Sequence, residues 1–536
     1  MPTRLARTRT ACAPVLALVL LLAMRMLWLG ACPLNSDEPQ HAHVAWSLAQ
    51  GLVPYRDVFD NHGPLFALLY APLMRGLGQR VDILWWLRLA VIPWYLLAVF
   101  ATWRMARSLY RPAVADAAAL LAALTPEFFL KTGQFRTDDA WAALWLGALA
   151  LASTSRRSTG RWLLAGLSAG AALSISLKTV PLLATSLIAG GCVWLTAARK
   201  LTRPVAQCAL AFVAGSLAIP VGLALWLASM HDLAWTWRDL IAYGLAPTGG
   251  PGHAWRQACY LGLLVLVAAA ATQRMRRQDG TQARWRAFLA VQGLLYALLI
   301  WVAWPLSTPQ DFLPVIPTLM LVVSAAVASR LADDPFGKRT GIAMVSVFVL
   351  LEVGALVLSA PPWRDALAGQ RAELATVLRS TDPGDTVMDA KSGAIFRPRP
   401  YYPVIESLAL RRLRAGLMKD TIAGALVAHR TMVVVPDRLP AADLAFVRSN
   451  YLPGPADVYM AGEVLPAGAR RFAIALAGRY ILSNGTRPVA AGIDGHPLAD
   501  QWNLSAGPHV LTHASGGTLV LCWSKAWERG WRPNAG

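Results

Sequence analysis

Charge is scarce in this chain. Only 15% of its 536 residues are Asp, Glu, Lys or Arg, against about 25% in soluble domains, which excludes an ordinary water-soluble fold. Cysteine is equally thin, at six scattered residues, too few for a disulfide framework. Cys12, Cys192, Cys208 and Cys259 fall in or near apolar runs as packing residues. Cys32 and Cys522 fall on one side of the membrane with nothing in the sequence to pair them. No Gly-rich phosphate loop, HExxH or Gly-x-Ser-x-Gly stands at a credible place, and there is no fixed-period repeat and no low-complexity linker. Nucleotide-binding folds and the common hydrolase centres are thereby set aside.

Long apolar runs are what the chain has instead; 56% of it is hydrophobic. Runs of about 20 residues, enough to cross roughly 30 Å of hydrocarbon, predict eleven spans: 11–31, 84–103, 112–130, 139–155, 162–177, 180–197, 204–229, 256–273, 287–304, 311–329 and 340–360. The first, with its basic start, lacks a convincing small-x-small cleavage site and reads as a retained helix rather than a signal peptide. The formal charge of +20 invites a nucleic-acid reading, but its distribution is that of topology. Arginines crowd one set of alternate loops, from Arg4, Arg7 and Arg9 through RMRRQDGTQARWR to Arg330, Lys338 and Arg339. The opposite loops up to residue 310 carry only Arg56, Arg75, Arg80, Lys131, Arg136, Lys178 and Arg238. The positive-inside rule then puts the N-terminus in the cytoplasm and everything after residue 360 outside. No nucleic-acid partner is implied.

The predicted fold class is a multi-pass α-helical membrane protein with a C-terminal extracytoplasmic α/β plus β-sandwich region. Residues 1–360 form the transmembrane domain, with a first outer loop at 32–83. GDTVMDA and RTMVVVPD are strand candidates flanking amphipathic helices, so 361–465 reads as a small α/β unit. RFAIALAGRYILSNGTRPVAAGIDGHPL and AGPHVLTHASGGTLVLCW alternate with period two around Asn-Gly, Asp-Gly and Gly-Gly, so 466–536 reads as a β-sandwich.

Four stretches on the outer side carry chemistry. In LNSDEPQHAHVAWSLAQG, Asp37 and Glu38 follow Ser36, a helix N-cap candidate. The pair is either a helix-start device or a reaction centre, since abstracting a hydroxyl proton requires a carboxylate within hydrogen-bond reach. YRDVFDNHGPL supplies Tyr55, Arg56, Asp57, Asp60 and His62 before a Gly-Pro turn; a solvated turn is the bland alternative. FRTDDAWAALWLGALAL supplies Arg136, Asp138 and Asp139 at a span's first turn. Lys178 interrupts SISLKTVPLL, either defining a tight turn or meeting a phosphate. Acids for hydroxyl activation and cations for phosphate thus share one membrane face.

At these residues the chain resembles the GT-C class of membrane glycosyltransferases, in the branch of protein O-mannosyltransferases and lipid A aminoarabinose transferases. The matching elements are DEPQHAHVAWSLAQGLVPYRDVFDNHGPL, FRTDDAWAALWLGALAL, and STPQDFLPVIPTLML, which is similar to a late Phe/Tyr-Leu-x-Pro-x-x-Pro helix start. The resemblance covers roughly 10–330. It implies inverting transfer of a sugar from a polyprenyl-phosphate carrier to a lipid, glycan or protein acceptor at the outer face of a bacterial inner membrane, with the C-terminal region periplasmic. By position it makes Asp37 the general base, Glu38 its partner and Asp138 a second functional acid, with Asp139 an alternative register. Arg56, His62, Arg136 and Lys178 become donor-phosphate ligands. His41, Tyr55, Asp57, Asp60 and Asp139 become candidate sugar or acceptor contacts. His62 stands where that family has a Lys before a Pro-Pro-Leu turn, a departure that weakens phosphate binding by a neutral side chain. No cofactor is obligatory in this branch, and a divalent cation is compatible but not indicated by the spacing. A lipid-linked saccharide transporter would need polar groups at mid-membrane depth or a repeat with broken helices. A non-catalytic scaffold would tolerate replacement of the loop acids.

Overall fold

The computed structural model describes residues 4–154, 158–197, 202–247, 280–304, 307–331, 337–513 and 517–534, with four isolated residues between 259 and 266. Helices occupy the intervals expected from the apolar runs, except 256–273, most of which lies outside the described residues. Four are long and apolar enough to cross a membrane, Ile83–Leu109, Arg203–Ser229, Thr281–Val302 and Arg339–Ser359; shorter apolar helices include Pro112–Leu124 and Ile316–Ala325. The expected 112–130 run is broken because Thr125 leaves the helical region ahead of Pro126, as the residue before a proline tends to.

Close backbone approach sets some of the packing. A Cβ on Gly166 would lie 2.1 Å from the Phe212 carbonyl oxygen, and one on Gly215 would lie 2.4 Å from that of Leu163. Helices Thr159–Ile175 and Arg203–Ser229 can therefore meet only through small residues, the usual device where lipid gives no hydrophobic drive to associate.

After residue 360 the strands are β1 (Val387–Met388), β2 (Val433–Val434), β3 (Tyr451–Leu452), β4 (Tyr459–Leu465), β5 (Arg471–Ile474), β6 (Gly478–Ser483), β7 (Gly492–Ile493), β8 (Gln501–Leu504), β9 (Gly507–His513) and β10 (Leu519–Trp523). Seven belong to one sheet, ordered β1-β2-β4-β10-β6-β8 with β3 also paired to β4; β5-β9-β7 form a second. Among the described strands only β1 and β2 pair in parallel, with Val387 opposite Val433. The larger sheet crosses the boundary expected near residue 465: β10 joins β4 on one side and β6 on the other. The α/β and sandwich parts therefore share a sheet rather than forming two independent units. A single apolar cluster also runs from Leu21 and Trp28 to Trp527 and Trp531, so this region is packed on the helices.

Candidate active site

The first loop turns into helix Asp37–Ala49 through Asn35. The Asp37 backbone N–H donates to Asn35 Oδ1 at 3.0 Å and the Glu38 N–H donates to the Asn35 carbonyl at 3.0 Å. Ser36 does not cap as expected. Its φ and ψ of −63° and −12° are already helical, and its hydroxyl accepts from Arg438 Nη1 at 2.9 Å instead.

The adjacent acids then part company. Glu38 is fully buried and is held by Arg88 of helix Ile83–Leu109, with Nε to Oε2 and Nη2 to Oε1 both at 2.7 Å. The Phe135 N–H donates to Oε2 at 2.9 Å and the Asn35 N–H to Oε1 at 3.0 Å. Arg88 also donates to the carbonyls of Leu29 and Cys32. Glu38 has spent its acceptor capacity on these partners and sits where no solvent reaches, which revises its reading as a reacting group: it fixes the helix that carries Asp37.

Asp37 is the more exposed of the two. Its carboxylate is about a quarter exposed, pairs with Arg136 Nη2 at 2.8 Å, and contacts Lys391 Nζ. Burial would raise the Asp37 carboxyl, but Arg136 and Lys391 outweigh it and hold it well below the usual carboxylate range. Arg136 continues to Asp138 at 2.9 Å, Asp138 to Lys178 at 3.0 Å, and Lys178 to Asp311 at 2.5 Å. Burial would depress the Lys178 ammonium, yet Asp138 and Asp311 raise it above its ordinary value. One chain of alternating charge thus links residues 37, 136, 138, 178, 311 and 391. Arg136 Nε and Nη1 are buried with no hydrogen-bond partner, leaving donor capacity for a ligand.

Lys391 reaches this chain from a tight loop. Three successive residues, Gly393, Ala394 and Ile395, have φ of 55°, 48° and 67°, a left-handed run that disfavours side chains and Ile above all. Asp389 offsets that strain by accepting from the backbone N–H groups of Lys391, Ser392, Gly393 and Ala394. A Cβ at Gly393 would meet the Arg397 carbonyl at 2.2 Å. The loop is tied to the first outer loop through His43 Nδ1 to the Ile395 carbonyl at 3.0 Å and Arg397 Nη1 to Gln79 Oε1 at 2.9 Å. Between the two loops lies a cavity of about 260 Å³, lined among others by Ser36, Glu373, Asp389, Lys391, Asp437 and Arg438.

On the other side of Asp37, His41 is buried and packs edge-on against His62 with centroids 4.7 Å apart. Burial and the nearby His62 push His41 well below its ordinary pKa, so it is a neutral imidazole. His62 lies 3.1 Å from Asp60 Oδ1 through Nδ1. Its position is set by Gly63, where a Cβ would collide with the Ser174 carbonyl at 2.1 Å, and by Tyr55, whose hydroxyl donates to the His62 carbonyl at 2.7 Å.

With the geometry in view, residues 61–226 match the family model described as dolichyl-phosphate-mannose-protein mannosyltransferase. The fold matches crystal structures of ArnT from Cupriavidus metallidurans. The apo form gives a TM-score of 0.59 at 14% identity, covering 83% of this chain and 97% of that one. The form bound to undecaprenyl phosphate gives 0.57 at 14% identity with the same coverage. The chain shares the fold of ArnT. No curated protein matches its sequence.

On this frame the four outer stretches converge, but not every candidate joins them. Arg56 pairs with its neighbour Asp57 at 3.0 Å on the surface, and Asp57 also accepts from the Val53 N–H. Neither contacts the Asp37–Asp138 chain, so the structure does not bring them together with it. At 138 and 139 the surroundings differ: Asp138 carries the ion pairs, whereas both oxygens of Asp139 are buried without a hydrogen-bond partner. Arg88, Asp311 and Lys391 were missed. Arg88 could have been flagged as a charge in the first turns of an apolar helix, and Asp311 as the acid of STPQDF, whose carboxylate closes a capping box with Thr308. Lys391 carries no local signal.

Proposed function

We propose that the chain is an inverting glycosyltransferase that moves a sugar from a polyprenyl-phosphate carrier to a lipid, glycan or protein acceptor at the outer face of the inner membrane. The ion-pair chain centred on Asp37 carries this reading, because it sets an ionised, partly exposed carboxylate beside cations. Asp37 would take the acceptor hydroxyl's proton as the hydroxyl attacks the sugar's anomeric carbon. Arg136 and Lys178 would receive the negative charge growing on the departing lipid phosphate, where preorganised cations matter most. In the resting site those cations sit on Asp37, Asp138 and Asp311. A donor phosphate would draw on the same cations, and Asp37 would become more basic as its partners turn to the phosphate. The cavity between the first loop and the 389–392 loop is the acceptor side of this reading, with the C-terminal region periplasmic.

The test is transfer of radiolabel from polyprenyl-phosphate pentose and hexose donors, by purified protein in lipid nanodiscs, to lipid, glycan and peptide acceptors. Labelled product with an inverted anomeric centre supports the proposal. Donor movement across a vesicle membrane without any transferred product would replace it with a transporter.

A further inference from the structure

Three groups of the first loop sit beside the ion-pair chain without belonging to it. His41, Asp60 and His62 each offer one ligand atom, and these atoms lie within 4.8 Å of one another. His41 is 2% exposed and its Nε2 is buried with no hydrogen-bond partner, an unfavourable condition unless something fills it. Asp60 is 3% exposed and already lies 3.1 Å from His62 Nδ1.

We propose that His41, Asp60 and His62 bind a divalent transition-metal ion, which offers its open positions to the phosphate of the lipid-linked donor. Two imidazoles and a carboxylate are a ligand set for Zn(II) and its neighbours, and three protein ligands leave a position free. With metal–ligand bonds of about 2.0–2.2 Å, ligand atoms of such a centre lie roughly 3–3.5 Å apart. The His62–Asp60 separation already meets that, and His41 has to draw in by roughly an ångström.

A second observation concerns charge. Arg136, Lys178 and Lys391 are all paired with carboxylates, on Asp37, Asp138 and Asp311. Among the described residues of the centre, Asp60 and Asp139 are further acids. These three cations and three carboxylates balance in charge, so an incoming phosphate adds negative charge that the paired groups do not offset in full. A dication held by His41, Asp60 and His62 would supply positive charge that the phosphate lacks. The metal site rests on the three residues alone; its phosphate role rests on the proposed donor.

The experiment uses the full chain, purified in detergent without a polyhistidine tag and stripped with a chelator. Co(II) is titrated against its visible absorption, with Zn(II) as competitor. One Co(II) should bind per chain with saturation, at least tenfold more weakly in His41→Gln, Asp60→Asn and His62→Gln, and unchanged in His429→Gln, an exposed histidine elsewhere. Absence of saturable binding, or binding indifferent to all three variants while their unfolding temperatures match wild type, would overturn the site. This readout does not depend on sugar transfer. A parallel measurement follows undecaprenyl phosphate: metal loading should tighten its binding at least tenfold in wild type and not in His62→Gln. Equal affinity with and without metal would overturn the phosphate role.

Discussion

Glu38 and Arg88 can be tested as a positioning pair by a double-mutant cycle. Both side chains are fully buried, and two charge-assisted bonds of 2.7 Å join them. Bonds to charged groups contribute about 1.5–3 kcal/mol each, and removing one partner of a buried pair leaves an uncompensated charge, at a cost of about 3–5 kcal/mol. Glu38→Gln strands the guanidinium; Arg88→Met strands the carboxylate, although the Phe135 and Asn35 N–H groups still reach it, so its loss should lie near the lower end. In Glu38→Gln/Arg88→Met no buried charge is stranded, and the double variant should lose less than either single, with a coupling of at least about 2 kcal/mol. Chemical denaturation of nanodisc-reconstituted protein, followed by tryptophan fluorescence, reads these differences. The double variant should also transfer sugar within about tenfold of wild type, because Glu38 touches no reactant. Additive single losses would refute the coupled lock. A stable double variant that binds donor yet transfers nothing would refute the positioning role and return Glu38 to the chemistry.

Further outcomes follow from the same geometry. Lys391→Met leaves Asp37 with Arg136 alone, so the Asp37 carboxyl rises from its depressed value; the acidic limb of the transfer–pH profile should move to higher pH and kcat should fall at least about tenfold. An unmoved limb would disconnect the 389–392 loop from the centre. Arg56→Ala should change donor KM less than twofold, since Arg56 pairs only with Asp57 at the surface; a tenfold rise would put it back at the phosphate. Glu373 is pushed up to about 8 by burial and by Asp389, Asp437 and Asp457. The folded state therefore holds a proton there that the unfolded chain, titrating near 4.5, has already lost. Stability therefore falls as pH rises from about 4.5 to about 8 and levels off above that. Glu373→Gln should match wild type at pH 5 and unfold later at pH 9, by roughly 1–3 kcal/mol after allowance for its partial exposure; equal curves at pH 9 would contradict the assignment.

Much of the centre was legible because membranes make charge conspicuous. Asp37, Arg136, Asp138 and Lys178 stand out where apolar runs break, and alternation of basic loops put them on one side before any contact was known. What sequence could not supply was depth and direction. Glu38 is adjacent to Asp37, yet a helix turns the two by roughly 100°, one into a buried guanidinium and the other to a more exposed place. Arg56 and His62 share one short motif, but the left-handed Tyr55 and the contact of Gly63 with Ser174 send them apart. Lys391 lies 354 residues from Asp37, and only the strained loop nested on Asp389 brings it there. The strand runs after residue 470 were readable from period two, but their sharing of a sheet with β1 and β2 depends on β10 inserting between β4 and β6. That is a long-range pairing with no local signature.

In the proposed reaction Asp37 removes the acceptor proton while its neighbours hold the donor phosphate. The most direct test is to measure Asp37→Asn beside wild type for both donor binding and single-turnover transfer. The account expects polyprenyl-phosphate-sugar affinity within a fewfold of wild type and transfer lowered by at least about 10³. Transfer at the wild-type rate in a folded, donor-binding Asp37→Asn protein would contradict it.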